Sequence, residues 1–140
     1  MSYAVKQDMI DRFALAELIQ LTDRTGGAVA VNDTVINQAL ADADAEVDGY
    51  LMGRYSLPLA SVPKILVGVA CDVARYRLYD DRATEQVTKR YDDAIKFLKL
   101  VADGKVSLGI NATNVITPTT GGAASFGNDR VFTSSTLSDY

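Results

Sequence analysis

Val62 to Tyr79 reads VPKILVGVACDVARYRLY, and its side-chain pattern decides the fold. With Ile65 at zero and a step of about 100° per residue, Ile65, Leu66, Val67, Val69, Ala70, Val73, Ala74, Tyr76 and Leu78 sweep most of the helical circle. Only Lys64, Gly68, Asp72, Arg75 and Tyr79 keep a narrow polar strip. A helix apolar nearly all round is covered by its neighbours, so this stretch predicts a buried central rod. Its length approaches a membrane span of about 20 residues. Lys64, Asp72, Arg75 and Arg77 are each costly at bilayer centre, however, which selects burial in protein. Pro63 falls in the first turn, where its missing N–H removes no helical bond.

Upstream of the rod, Asn32-Asp33-Thr34 opens a helix with Asp33 as its N-cap. Ile36, Ala39, Leu40, Ala43, Val47, Tyr50 and Leu51 then fall within about a third of the circle, to a helix end near Arg54. Leu57, before Pro58, leaves helical geometry. Further back, Ser2 to Val5 reads as an extended arm. Asp8 caps one helix carrying Met9, Ile10, Phe13, Leu15, Leu18, Ile19 and Leu21, which Thr25-Gly26-Gly27 terminates. Downstream of the rod, Thr84 caps a last helix that buries Val87, Tyr91, Ala94, Ile95, Leu98 and Val101, and Gly104 stops it. Glu85 with Lys89 and Asp92 with Lys96 have the i,i+4 spacing of helix-surface ion pairs.

The fold predicted is all-α: a compact bundle of about four helices around the buried central helix. Residues 1–104 form this helical domain, and residues 105–140 an extended C-terminal arm with short β segments. Lys105 to Ile110 alternates as a strand does, and Arg130 to Thr133 is a second β-like patch. Fixing backbone costs about 1–2 kcal/mol per residue. The arm's few large apolar side chains return only about 2 kcal/mol each on full burial. Neighbouring subunits or another partner of the assembly are therefore expected to hold it, through Val106, Leu108, Ile110, Arg130, Val131, Phe132, Leu137 and Tyr140. Strand addition to a partner's edge suits such a segment, because it satisfies backbone groups without a large core.

The chain has 140 residues, 48% of them hydrophobic, which favours one globular domain. Its net charge of −4 argues against a basic nucleic-acid footprint. There is no histidine, so Cys71, the one cysteine, has no histidine to activate it, and no His-ligated metal site can form. Cys71 lies on the rod and reads as a small apolar residue. The opening MSYAVKQDMID lacks the basic start and apolar run of a signal peptide. Asp42, Asp44, Glu46, Asp48 and Gly49 superficially match a calcium loop, but Val47 and Gly53 stand where that loop requires glycine and glutamate. Asp80-Asp81 and Asp92-Asp93 are sequence neighbours that point apart. Gly26-Gly27 lacks the strand and lysine of a phosphate loop. No catalytic, cofactor or metal residue is assigned, and the reading is non-enzymatic. Arg77 falls at about 120° on the wheel, inside the apolar arc, where it must pair with an acid or cross an interface. Glu46 and Asp48 are the candidate partners.

Ser2-Tyr3-Ala4, Asp8-Met9-x-x-Arg12-Phe13 and Glu17-Leu18-x-Gln20-Leu21-Thr22-Asp23 together resemble the opening of the Mu-like phage head–tail connector family. The resemblance continues through Val47-Asp48-Gly49-Tyr50-Leu51, Arg54-Tyr55-x-Leu57-Pro58-Leu59 and Ala70-Cys71-Asp72-Val73-Ala74-Arg75-Tyr76. It reaches Lys105-Val106-x-Leu108-Gly109 and Arg130-Val131-Phe132. It implies a structural virion protein of the phage neck, present in the host cytoplasm during assembly, with no membrane and no cofactor. Such adaptors form a ring, commonly of about twelve copies, beneath the portal protein. The resemblance thus makes the portal the other partner that could hold the C-terminal arm. They complete the DNA-filled head and dock the tail through a tail-side neck or tail-terminator protein. DNA passes through the channel without specific binding. An acidic wall suits that passage, and Asp42, Asp44 and Asp48 are the candidate channel-facing acids. The alternative is a small helical nucleic-acid-binding or regulatory module, disfavoured by the acidic charge.

Overall fold

The computed structural model describes residues 2–110. Among them are five α-helices: α1 Lys6–Arg12, α2 Leu15–Thr22, α3 Asp33–Leu51, α4 Lys64–Tyr79 and α5 Glu85–Ala102. A 3-10 turn, Asp80–Arg82, joins α4 to α5. Helix α4 touches all four of the other α-helices, and α3 also touches α5. Leu66, Ala70, Cys71, Val73 and Ala74 of α4 are fully buried, as the apolar sweep requires. The rod is not covered all round: Ile65 in its first turn is 52% exposed.

The single N-terminal helix expected from Asp8 to Thr22 is two helices. Met9 and Leu18 are both 0% exposed. In one continuous helix they would lie about 180° apart, so both reach the core only if the axis breaks between them. Phe13 and Ala14 make that break, both in extended conformation. Asp8 is not the N-cap; Val5 is, and the Asp8 carboxylate accepts the Val5 N–H at 2.8 Å.

Helix α3 is capped by Asn32 rather than Asp33: the Asn32 side chain accepts from Thr34 N and Val35 N. Asp33 instead pairs with Lys6 and pins α1 to the start of α3. The Asn32 N–H in turn donates to Thr22 Oγ1 at 3.0 Å, and that buried hydroxyl donates to Leu18 O at 2.7 Å. The end of α2 is thereby tied to the start of α3. Thr84 caps α5 as expected, accepting from Val87 N. On α5 the described ion pair is Lys89–Asp93 at 2.9 Å, not the two pairs expected from spacing.

Gly104 stops α5 with φ of 83°. Its N–H donates to Val101 O and the Lys105 N–H to Leu100 O, which is the Schellman arrangement. The strand expected over Lys105 to Ile110 is absent; no strand occurs among the described residues. The alternation has a different cause. Leu108 is 9% exposed within the core, and Val106 and Ile110 pack against it. The Leu108 N–H donates to the hydroxyl of fully buried Tyr55 at 3.2 Å. One face of the segment therefore lies on its own helices.

Candidate functional site

The polar strip of α4 is a seam between α1–α2 on one side and α5 on the other. Arg75 donates to Glu17 Oε1 from Nε at 2.9 Å and reaches it with Nη2 at 2.8 Å. The Tyr79 hydroxyl donates to the same oxygen at 2.6 Å. The Arg75 guanidinium also lies 4.4 Å from the centre of the buried Phe13 ring, and that of Arg90 lies 5.6 Å from it. Arg90 Nε is 3.3 Å from Asp72. Burial raises the Asp72 pKa, and the charges of Arg90, Arg75 and Arg12 oppose the rise. Gly68 belongs to this strip because a Cβ there would sit 3.4 Å from Arg12 Nη1.

Arg77 finds its acid within the chain: its Nη2 is 2.7 Å from Glu46 Oε2. The other oxygen of Glu46 accepts from the Tyr91 hydroxyl at 2.7 Å, and Tyr91 stacks on Tyr76 with ring centres 4.0 Å apart. Burial and then Glu46 push the Tyr91 pKa up to about 12, so the phenol remains a donor. This knot of four side chains joins α3, α4 and α5.

The three acids expected to face a channel divide. Asp44 accepts the Tyr3 N–H at 2.9 Å, and Asp48 accepts the Tyr3 hydroxyl. Both serve to strap the N-terminal arm onto α3, with Tyr3 3% and Ala4 2% exposed. Burial raises the Asp44 pKa more than the Tyr3 hydrogen bond lowers it. Asp42 accepts from Gln38 and lines an open cleft of about 490 Å³ with Tyr76, Arg77, Asp80, Asp81 and Tyr91. Val106, Leu108 and Ile110 lie as described above. Arg130, Val131, Phe132, Leu137 and Tyr140 fall outside the described residues.

Sequence reading missed Asp23. Its two carboxylate oxygens accept the backbone N–H groups of Thr25, Gly26, Gly27 and Ala28. These bonds hold its pKa far below the usual carboxylate range. The signal was an aspartate two residues ahead of Thr-Gly-Gly. Among the described residues there is no group of three or more potential metal-ligating side chains, and no helix long and apolar enough to cross a membrane.

Residues 3–126 match the family described as Bacteriophage Mu, Gp36. The chain belongs to this family. It is 38% identical over 118 residues to "Gene product J" of Escherichia phage Mu, covering 84% of each chain. It is 40% identical over 109 residues to "Mu-like prophage FluMu protein gp36" of Haemophilus influenzae, covering 78% of this chain and 77% of the relative. The motifs that carried the family resemblance hold the structural ties just described. Glu17 and Arg75 close the seam, Thr22 and Asp23 order the α2–α3 connection, and Tyr55 receives Leu108. What marks this Mu Gp36 member in sequence is thus the framework of its helices.

Proposed function

We propose that this protein is a structural head-to-tail connector of a Mu-like phage: a compact helical subunit that assembles as a ring beneath the portal, completes the DNA-filled head and docks the tail. The observation that carries the reading is membership of the Mu Gp36 family over residues 3–126, with relatives in a phage and a Mu-like prophage. The described architecture supports it. Side chains suited to chemistry are occupied in tying helices together: Glu17, Arg75, Glu46 and Arg77 all have partners within the chain. The role sought is therefore one of shape and surface. C-terminal residues Arg130, Val131, Phe132, Leu137 and Tyr140 are proposed contacts to neighbouring subunits or the portal, and Asp42 is proposed to face the channel.

The test is genetic and visual. A Mu-like phage lacking this gene is expected to accumulate DNA-filled heads beside finished, separate tails in electron micrographs. Adding the purified chain should join them. Normal particles, or a block in capsid or tail formation itself, would refute the role. Salt-sensitive binding to duplex DNA by the isolated chain would favour the nucleic-acid-binding alternative.

A further inference from the structure

The helices order the surface charge along the long direction of the molecule. Glu46 meets Arg77 and Tyr91, while Arg54 Nη1 donates to Val101 O at 3.1 Å. Helices α3 and α5 therefore run the same way and α4 runs against them. The C-termini of α3 and α5 and the N-terminus of α4 share one end. That end carries Arg54, Lys64, Lys99 and Lys105 against two acids, Asp103 and Asp48, the latter in the last turn of α3 and taken up by the Tyr3 hydroxyl. None of these four cations has a carboxylate partner among the described residues. It also exposes Met52 by 62%, Ile65 by 52% and Leu100 by 40%, one apolar side chain from each helix end. The opposite end carries Asp23, Asp80, Asp81 and Glu85 against Arg24 and Arg82, with Lys6 paired to Asp33 and Arg77 to Glu46. Its α2–α3 loop presents Val29, 92% exposed.

Helix stability does not account for the basic end. Lys99 in the last turn of α5 suits the macrodipole, but Lys64 stands in the first turn of α4, where a cation is unfavourable and no acid of that turn compensates it. Apolar side chains rimmed by charge are the make-up of a docking surface. Its complement in charge, an end with more acids than cations and an exposed apolar residue of its own, Val29, is on the same chain.

We infer that the basic end of one copy receives the acidic end of the next, so that the ring is closed by a repeated head-to-tail contact. This rests on the ring reading above. Such a contact is heterologous, and it closes only when the rotation per copy divides the circle. It sets α3, α4 and α5 along the rim of the ring, leaving a flank of the subunit toward the channel.

The experiment is a charge exchange on the full chain, read by sedimentation velocity and native mass at low and high salt, with and without portal-bearing heads. Lys64→Glu with Lys105→Glu reverses the basic end. An acid in the first turn favours α4 itself, so loss of the helix is not the expected cost. Asp81→Lys with Glu85→Lys reverses the acidic end. Each pair alone should weaken self-association by about tenfold or more, and mixing the two variants should restore it through the reversed contact. High salt should weaken the natural chain in the same direction. A ring that forms but ignores salt and both reversals overturns the inference and leaves the connector reading standing. A chain that stays monomeric throughout, heads included, overturns both. Loss of duplex-DNA binding in the Lys64→Glu, Lys105→Glu variant, with self-association intact, would assign the basic end to a polyanion and overturn the inference.

Discussion

Cys71 is fully buried on α4, and burial pushes its pKa up to about 12. The thiolate is the reactive form, so the native protein should resist alkylation at neutral pH and label only as fast as it unfolds. Rapid labelling in native buffer, followed by intact mass, would contradict that placement. Asp23 lies at the other extreme. Its folded pKa is depressed, so its contribution is present above the ordinary carboxylate pKa of about 4 and is lost as pH falls toward the folded value. Asp23→Asn should therefore melt below the natural protein at neutral pH. The gap should narrow steadily below about pH 4, and a gap independent of pH would show that the loop does not use the charge. Arg77 could be read from sequence because a charge inside an apolar arc demands a partner. Tyr3 with Asp44 and Asp48 could not, since a contact across more than forty residues leaves no local pattern.

At the scale of elements, periodicity located α3, α4 and α5 as single helices and ran α1 and α2 into one. It failed at the first, where Met9 and Leu18 need different axes, and a local reading assumes one. It found the alternation of Val106, Leu108 and Ile110 but not its partner, because a helical core can cover one face of an extended segment as well as a strand can. The end of α5 was legible because glycine at a left-handed position is a local requirement. That requirement is testable. At Gly104, φ is 83°, and an added Cβ would stand 3.1 Å from Arg54 Nη1, which itself donates to Val101 O. Gly104→Ala is expected to cost about 1–2 kcal/mol in denaturant unfolding, from the left-handed backbone alone. Gly27→Ala, where nothing lies within 4 Å and φ is not positive, should lie within about 0.5 kcal/mol of the natural protein.

For the whole molecule, the polarity of charge between the two ends emerges only once the helices are set against one another. Lys64 and Lys105 are far apart in sequence and share an end because α4 reverses the chain. The boundary of the folded unit is likewise a tertiary matter. Composition changes at Gly104, yet the core does not end there. Leu108 fills a place beside Tyr55 and donates its N–H to a hydroxyl that is otherwise enclosed. Removing Leu108 forfeits about 2 kcal/mol of apolar burial. Leaving the Tyr55 hydroxyl without that donor adds about 1 kcal/mol. Partial exposure of the surfaces under Val106 and Ile110 adds to both. A chain ending at Gly104 should thus be less stable by at least about 3 kcal/mol than a chain ending at Ile110, a large share of a small domain's total. Paired chemical denaturation of the two truncations measures the difference directly. Equal midpoints and slopes would mean that residues 105–110 lie on the surface without supporting it, and the folded unit would then end with α5.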